Sequence, residues 1–157
     1  MQPKERPELT EASSVSPPAS ANSINPETVH PPFGYSHVVE VTAGRPVYIA
    51  GQVALDPTGA LVGAGDLRAQ TRQVFENLRV ALGSVGAGFD HVVKLNYYLL
   101  DATQLPVVRE VRDQYVNPQQ PPASTAVEVR RLVRDDLLIE VEAVAVVASV
   151  QPMTATA

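Results

Sequence analysis

The chain has no cysteine and no tryptophan among its 157 residues. Without thiols it has no disulfide, no thiol nucleophile, no iron–sulfur cluster and no Cys-ligated zinc. Histidine is scarce as well: His30, His37 and His91 stand in no HxH, HxxxH or HExxH spacing. A protein-made metal site is therefore not expected, and the default reading is a cofactor-independent protein. Aromatic residues make up only 5%, and 12 Lys and Arg face 17 Asp and Glu, a formal net charge of −5. An acidic chain with no basic–aromatic cluster forgoes the counterion-release term, so nucleic acid is not an expected partner. No run approaches the about 18 apolar residues of a membrane span. The first residues, among them Lys4, Glu5, Arg6 and Glu8, mix both charges with no apolar stretch behind them, so the expected location is cytoplasmic, away from membranes.

What is present is apolar residue content of 45%, enough in a chain this long for one domain with a real core. Proline draws the first boundary, with seven of fourteen falling in residues 1–32 among Ser, Ala, Glu and Asn. Such a segment buries too little apolar surface to offset its ordering entropy, so residues 1–32 are expected to form a disordered or loosely draped arm. Residues 33–148 hold the domain, and 149–157 form a tail.

Within the domain, residues 34–41 (GYSHVVEV) and 46–55 (PVYIAGQVAL) are β-branched runs, separated by Thr42-Ala43-Gly44-Arg45 and expected to pair as a hairpin. Asp56-Pro57-Thr58-Gly59 is a turn cluster. From Leu67 the period changes. Leu67, Val74, Phe75, Leu78, Ala81, Leu82 and Val85 fall on one helical stripe, with Asp66 as N-cap and Gly86 as stop. A third strand is expected over 91–100, with Val93, Leu95, Tyr97 and Leu99 on one face. A second helix is expected over 104–117, its stripe being Val107, Val108, Val111 and Tyr115 and its end Asn117-Pro118. Strands over 123–132 and 137–148 complete the order β-β-α-β-α-β-β, an α+β layer of two helices on one face of a mixed sheet.

The last strand, LLIEVEAVAVV, is largely apolar on both alternating faces. A strand wetted on one side should alternate instead. Two helices cover only one face of such a sheet, so the other is expected to be buried by further copies of the chain, with pockets at the seams.

The chain resembles the RidA/YjgF family of reactive imine and enamine deaminases. The resemblance runs from Phe33 to about Val147 through Gly34-Tyr35-Ser36, Ala50-Gly51-Gln52, Leu55-Asp56-Pro57-Thr58-Gly59, Gln70-Thr71, Asn77-Leu78, Val92-Val93-Lys94, Pro122-Ala123, Ala126-Val127-Glu128-Val129 and Ile139-Glu140-Val141-Glu142-Ala143-Val144-Ala145. Each piece is weak; their order and spacing carry the match. The resemblance implies a homotrimer of chorismate-mutase-like fold, with active sites in three intersubunit clefts. It also implies hydrolysis of a small imine or enamine to a carbonyl compound and ammonia without a cofactor.

Residue roles follow from the same resemblance. Glu140 matches the cleft glutamate that would hold or deprotonate water, while a structural carboxylate pair with Glu142 is the alternative. Tyr35 matches a cleft-lining tyrosine, or is a core tyrosine satisfied locally. Gly51 matches the glycine whose backbone lies beside the substrate, or marks a bulge. Ala50 replaces the usual serine. The main departure is in Pro122-Ala123-Ser124-Thr125, where active members carry an arginine that forks onto the substrate carboxylate. Ser124 occupies that position, with Thr125 next to it as a second binding candidate. A hydroxyl reproduces neither the charge nor the bidentate geometry, and the loss is expected to cost about 1.5–3 kcal/mol of transition-state binding. Arg109 stands where Asn is common. It is read either as a replacement cation reaching the pocket or as an exposed helix residue paired with Asp113. His37, two residues from Tyr35, is a proton-transfer candidate or a satisfied interface histidine. Lys94 reads as a solvated or ion-paired strand residue.

Three functions are thus weighed: a trimeric imine or enamine hydrolase, a small-molecule-binding or regulatory trimer that has lost the chemistry, and an RNA-cleaving inhibitor of translation. The charge and the few aromatics disfavour the last. Glu140 favours the first, Ser124 the second.

Overall fold

A computed structural model describes residues 20–149. The expected arm therefore falls largely outside the described residues, as does most of the expected tail. From Ser20 onward the arm has structure: Ala21–Ile24 form strand β1, which pairs antiparallel with β2, Val38–Val41, in the register Ala21↔Val41 to Ile24↔Val38.

This pairing corrects the expected hairpin. Strand β3, Arg45–Gln52, does not extend the β1–β2 ribbon but joins a four-stranded sheet beside β6, Ile139–Val147. The corner between the two sheets is held from the arm, since the Thr42 N–H and hydroxyl both donate to the Ser20 carbonyl at 3.0 and 3.1 Å. Gly44, at φ +125°, takes a conformation that an L side chain resists. Sequence adjacency suggested a hairpin; the arm supplied the partner instead.

The four-stranded sheet runs β3-β6-β4-β5, with β4 at Val92–Leu99 and β5 at Ala123–Glu128. Only the β4–β5 pair is parallel. Helix α1, Leu67–Gly83, starts where expected, with the Asp66 carboxylate accepting the Ala69 N–H at 3.0 Å. It ends through Gly86 at φ +71°, the Ala87 N–H reaching back to the Leu82 carbonyl at 3.0 Å. Helix α2, Leu105–Arg112, is shorter than expected: a turn in which the Tyr115 and Val116 N–H groups share the Arg112 carbonyl closes it before Asn117-Pro118. Strand β5 likewise stops at Glu128, short of residue 132.

Phe75, Leu78 and Leu82 of α1 pack with Val108 of α2 over Leu95, Leu99, Ile139 and Val141, all fully buried or nearly so. A shift in register between Val92 and Lys94 puts Val92, not Val93, on this buried face. Two family-motif residues are structural here. Buried Gln70 donates to the Gly63 and Asp136 carbonyls and accepts the Leu138 N–H, while Asn77 donates to the Val53 and Leu55 carbonyls. Each pins a loop whose backbone groups have no ladder partner. Among the described residues the opposite face of the sheet carries no helix, and Tyr48 is 79% exposed.

Candidate active site

Register decides which candidate residues can meet. Ser124 lies opposite Leu95, and Ala126 opposite Tyr97, on the helix-covered face. Glu140 lies opposite Tyr98, and Glu142 opposite Asn96, on the bare face. Cβ direction alternates along a strand, so Ser124 and Glu140 project from opposite sides of one sheet.

On the bare face, Glu142 is fully engaged, accepting from Asn96 Nδ2 at 2.7 Å and from the Tyr98 hydroxyl at 2.9 Å. That bond to a carboxylate holds the Tyr98 phenol above its usual value. Glu140 differs: its carboxylate has no hydrogen bond or ion pair among the described residues. Its neighbour across the strand is Gly51, where a Cβ would collide with Glu140 Oε1. Gly51 also sits in the register break between Ile49 and Gln52. The two alternatives for this glycine are therefore both present, a bulge and a close approach, the close approach being to an acid group. Glu140 opens onto a groove lined by Tyr98, Val129, Arg131, Leu132, Val133 and Glu142.

On the covered face, Tyr35, Arg109 and Ser124 line one cavity of about 150 Å³ under α2, together with Phe33, Tyr97, Leu105, Val108, Arg112 and Ala126. Arg109 does not pair with Asp113. Arg112 takes that carboxylate through Nε and Nη2 at 2.9 and 2.7 Å, and the Arg109 guanidinium lies 4.8 Å over the Phe33 ring. The Tyr97 hydroxyl is buried and has no hydrogen-bond partner. Burial drives its phenol well above the ordinary range; the Arg112 charge alongside pulls the other way, without a hydrogen bond of good geometry.

The remaining candidates lie apart. Thr125 faces the bare side, opposite Asn96, and its hydroxyl accepts from Lys94 Nζ at 2.9 Å. Lys94 is thus tied to a neighbouring strand. His37 meets the Tyr35 ring edge-on at 5.3 Å, while its Nε2 lies 2.7 Å from the His30 carbonyl of the arm. Tyr97 and Arg112 were not singled out from the sequence. Arg112 had a legible signal, because it stands three residues from Arg109 and so shares a helix face with it. Among the described residues no group of three or more acidic or His side chains is placed to hold a metal, and no helix is long and apolar enough to cross a membrane.

Two helices on a mixed sheet, with polar groups gathered at both faces of the strands, define a class with known members. A family model described as endoribonuclease L-PSP matches residues 26–147. The 3-aminoacrylate deaminase RutC of Acinetobacter baylyi is 35% identical over 122 residues, covering 78% of this chain and 94% of that protein. The mouse 2-iminobutanoate/2-iminopropanoate deaminase is 35% identical over 112 residues, covering 71% and 80%. Among solved structures, the Rid family protein YyfB of Yersinia pestis superposes with a TM-score of 0.72 at 40% identity, covering 81% of this chain and 98% of that one. The chain belongs to the RidA/YjgF family.

Proposed function

We propose that this protein is a cofactor-independent deaminase that hydrolyses a small imine or enamine to a carbonyl compound and ammonia, in a cleft formed between copies of a homotrimer. The observation that carries the reading is the opposition of Ser124 and Glu140 across one sheet. A single chain cannot bring the pocket under α2 to its own Glu140. A second copy laid against the bare face can, and that face is the one left with Tyr48 in solvent. Relatives named as deaminases of 3-aminoacrylate and of 2-iminobutanoate support the chemistry.

A protonated imine carbon is already electrophilic, so the demands on the protein are modest. Glu140, unpaired and held against the Gly51 backbone, takes a proton from a water as its oxygen bonds to the imine carbon. The same carboxyl then returns that proton to nitrogen, and as the C–N bond breaks the carboxylate takes the proton of the new hydroxyl and passes it to the departing ammonia, so that the carbonyl compound and ammonium leave. An enamine enters the same route after protonation at its β-carbon. Tyr35, Ser124, Thr125 and Arg109 are the candidates for positioning the substrate; Thr125, on the bare face, would act near Glu140 rather than in the cavity under α2.

The test is ammonia release from 2-iminopropanoate generated in situ. Glu140→Gln is expected to lower the rate about a hundredfold or more, and mixing Glu140→Gln with Arg109→Ala protomers is expected to restore part of it, since some clefts then draw both intact groups from different copies. A Glu140→Gln protein as fast as the wild type, or a wild type that runs as a monomer in light scattering, overturns the reading. Wild-type protein that assembles and binds carboxylates but never releases ammonia is the binding protein that Ser124 suggests.

A further inference from the structure

We propose that the cavity under α2 is a subsite for a small carboxylate, gripped by Arg109 with the Tyr97 hydroxyl as a second donor, so that the ligand is an anion although β5 offers only Ser124. The ligand being an imine or enamine rests on the function proposed above; the anion site stands on the cavity itself.

Charge accounting comes first. The acids nearest α2 are already committed: Asp113 to Arg112 at 2.7 Å, and Glu110 to Arg68 at 2.5 Å. Of the two cations lining the cavity, Arg112 is taken by Asp113 while Arg109 has no carboxylate partner among the described residues and rests on the Phe33 ring. The other walls include Leu105, Val108 and Ala126. A cation beside an apolar wall is poorly screened, so an incoming anion meets a stronger field than it would at an open surface.

The second, independent observation is Tyr97. Its hydroxyl is sealed from solvent at 3% residue exposure and satisfies no protein acceptor. Buried hydroxyls are ordinarily paired, and an orphan marks either a tolerated cost or a group awaiting a ligand. Tyr97, the residue that carries this orphan, lines the same cavity as the unpaired cation. A planar carboxylate suits that pair, one oxygen facing the guanidinium fork and the other the phenol. The cavity holds about 150 Å³, room for a headgroup with a short carbon chain. Ser124 and Ala126 leave the strand side of that space open. The anion grip has thus moved from strand to helix, and the position of an arginine on β5 is free for substrate bulk.

The experiment is calorimetric titration of the intact protein with pyruvate, with acetone and inorganic phosphate as separate probes. Saturable binding of pyruvate, none of acetone and none of phosphate is expected. Arg109→Ala should weaken pyruvate about tenfold, and Arg109→Lys should recover part of that loss. Tyr97→Phe should weaken it severalfold while leaving the melting temperature unchanged or raised, because removing an unpaired buried hydroxyl relieves a cost. Were Tyr97 merely structural, Phe would leave pyruvate binding untouched. Equal affinity in wild type and Arg109→Ala, equal binding of pyruvate and acetone, or no saturable pyruvate binding at all overturns the subsite. Glu140→Gln separates the two proposals: it should bind pyruvate at least as tightly as the wild type while ammonia release falls about a hundredfold or more. Pyruvate binding that depends on Arg109 in a protein with no hydrolytic activity leaves the subsite standing and removes the hydrolase.

Discussion

Under α2 the chain answers its own charges: Arg112 is held by Asp113, Glu110 by Arg68, and only Arg109 is left over. Across the sheet Glu142 is answered by Asn96 and Tyr98, and only Glu140 is left over. The two leftover groups have opposite sign and lie on opposite faces. Helices close the first region, so its cation is positioned by this chain alone. Among the described residues nothing closes the second, and its acid stands against a glycine that gives it room. A site completed by one chain can bind in isolation; a site divided between faces can turn over only after assembly.

The sharpest way to break that contrast is to prevent assembly while leaving the pocket intact. Tyr48 and Val144 are cross-strand partners on the bare face, far from α2 in the sheet. Tyr48→Glu combined with Val144→Glu puts two like charges where a second copy is expected to press, a placement that costs several kcal/mol at an interface. The expected outcome is a monomer by sedimentation with no measurable ammonia release, yet with pyruvate affinity preserved. Turnover by that monomer would show that one chain suffices and would dissolve the division between faces.

A somewhat smaller effect is expected from Gly51→Ala. The added methyl would collide with Glu140 Oε1, so the carboxylate must swing away. Misplacing a catalytic group by about an ångström can cost on the order of a hundredfold in rate. Ammonia release should fall by that order with the oligomeric state, the melting temperature and pyruvate binding unchanged. An unaltered rate would mean that the position of Glu140 beside Gly51 has no part in the chemistry.

The order of elements was legible because periodicity is local. The change from period two to a helical stripe at Leu67, with Asp66 before it and Gly86 after, marked α1 almost to the residue. The apolar character of both faces of β6 gave the expectation of a cover for the face the helices leave bare, but not the place of β6 between β3 and β4. Pairing was less legible, since partner choice is a long-range property. The partner of β2 turned out to be Ala21–Ile24, a four-residue strand in a proline-rich segment with no strand signature of its own. For the site, residue types were readable and faces were not. Whether Ser124 and Glu140 share a side depends on how β5 and β6 register on β4, and the irregularity at Val92–Lys94 changes parity along β4 itself. Tyr97 was hidden by its company, because between Leu95 and Leu99 it reads as core, and by burial it is. Only the empty hydrogen-bonding position of its hydroxyl sets it apart.

The smallest effect is expected from acid, and it falls on the covered face. Glu76 of α1 accepts from Arg79 Nε at 2.9 Å and from the Tyr115 hydroxyl at 2.9 Å, which ties α1 to the turn after α2. Arg79 first and Tyr115 second hold its carboxyl below the usual value of 4.5. A folded-state value lowered in this way means the unfolded chain binds the proton more tightly. The contribution to stability is therefore complete above 4.5 and is lost as pH falls through the lower folded value. Because the pair is partly exposed, solvent screens it, and Glu76→Gln should lower the melting temperature at neutral pH by only about 1–2 °C. The same substitution should flatten the decline of melting temperature between pH 5 and pH 3, roughly the window in which a lowered carboxyl titrates. Pyruvate affinity at neutral pH should not move, because the tie lies outside the residues lining the cavity. A change in that affinity would mean that the seating of α2, and with it the position of Arg109, depends on the Glu76 bridge, so that the covered pocket is less self-sufficient than its internal ion pairs imply.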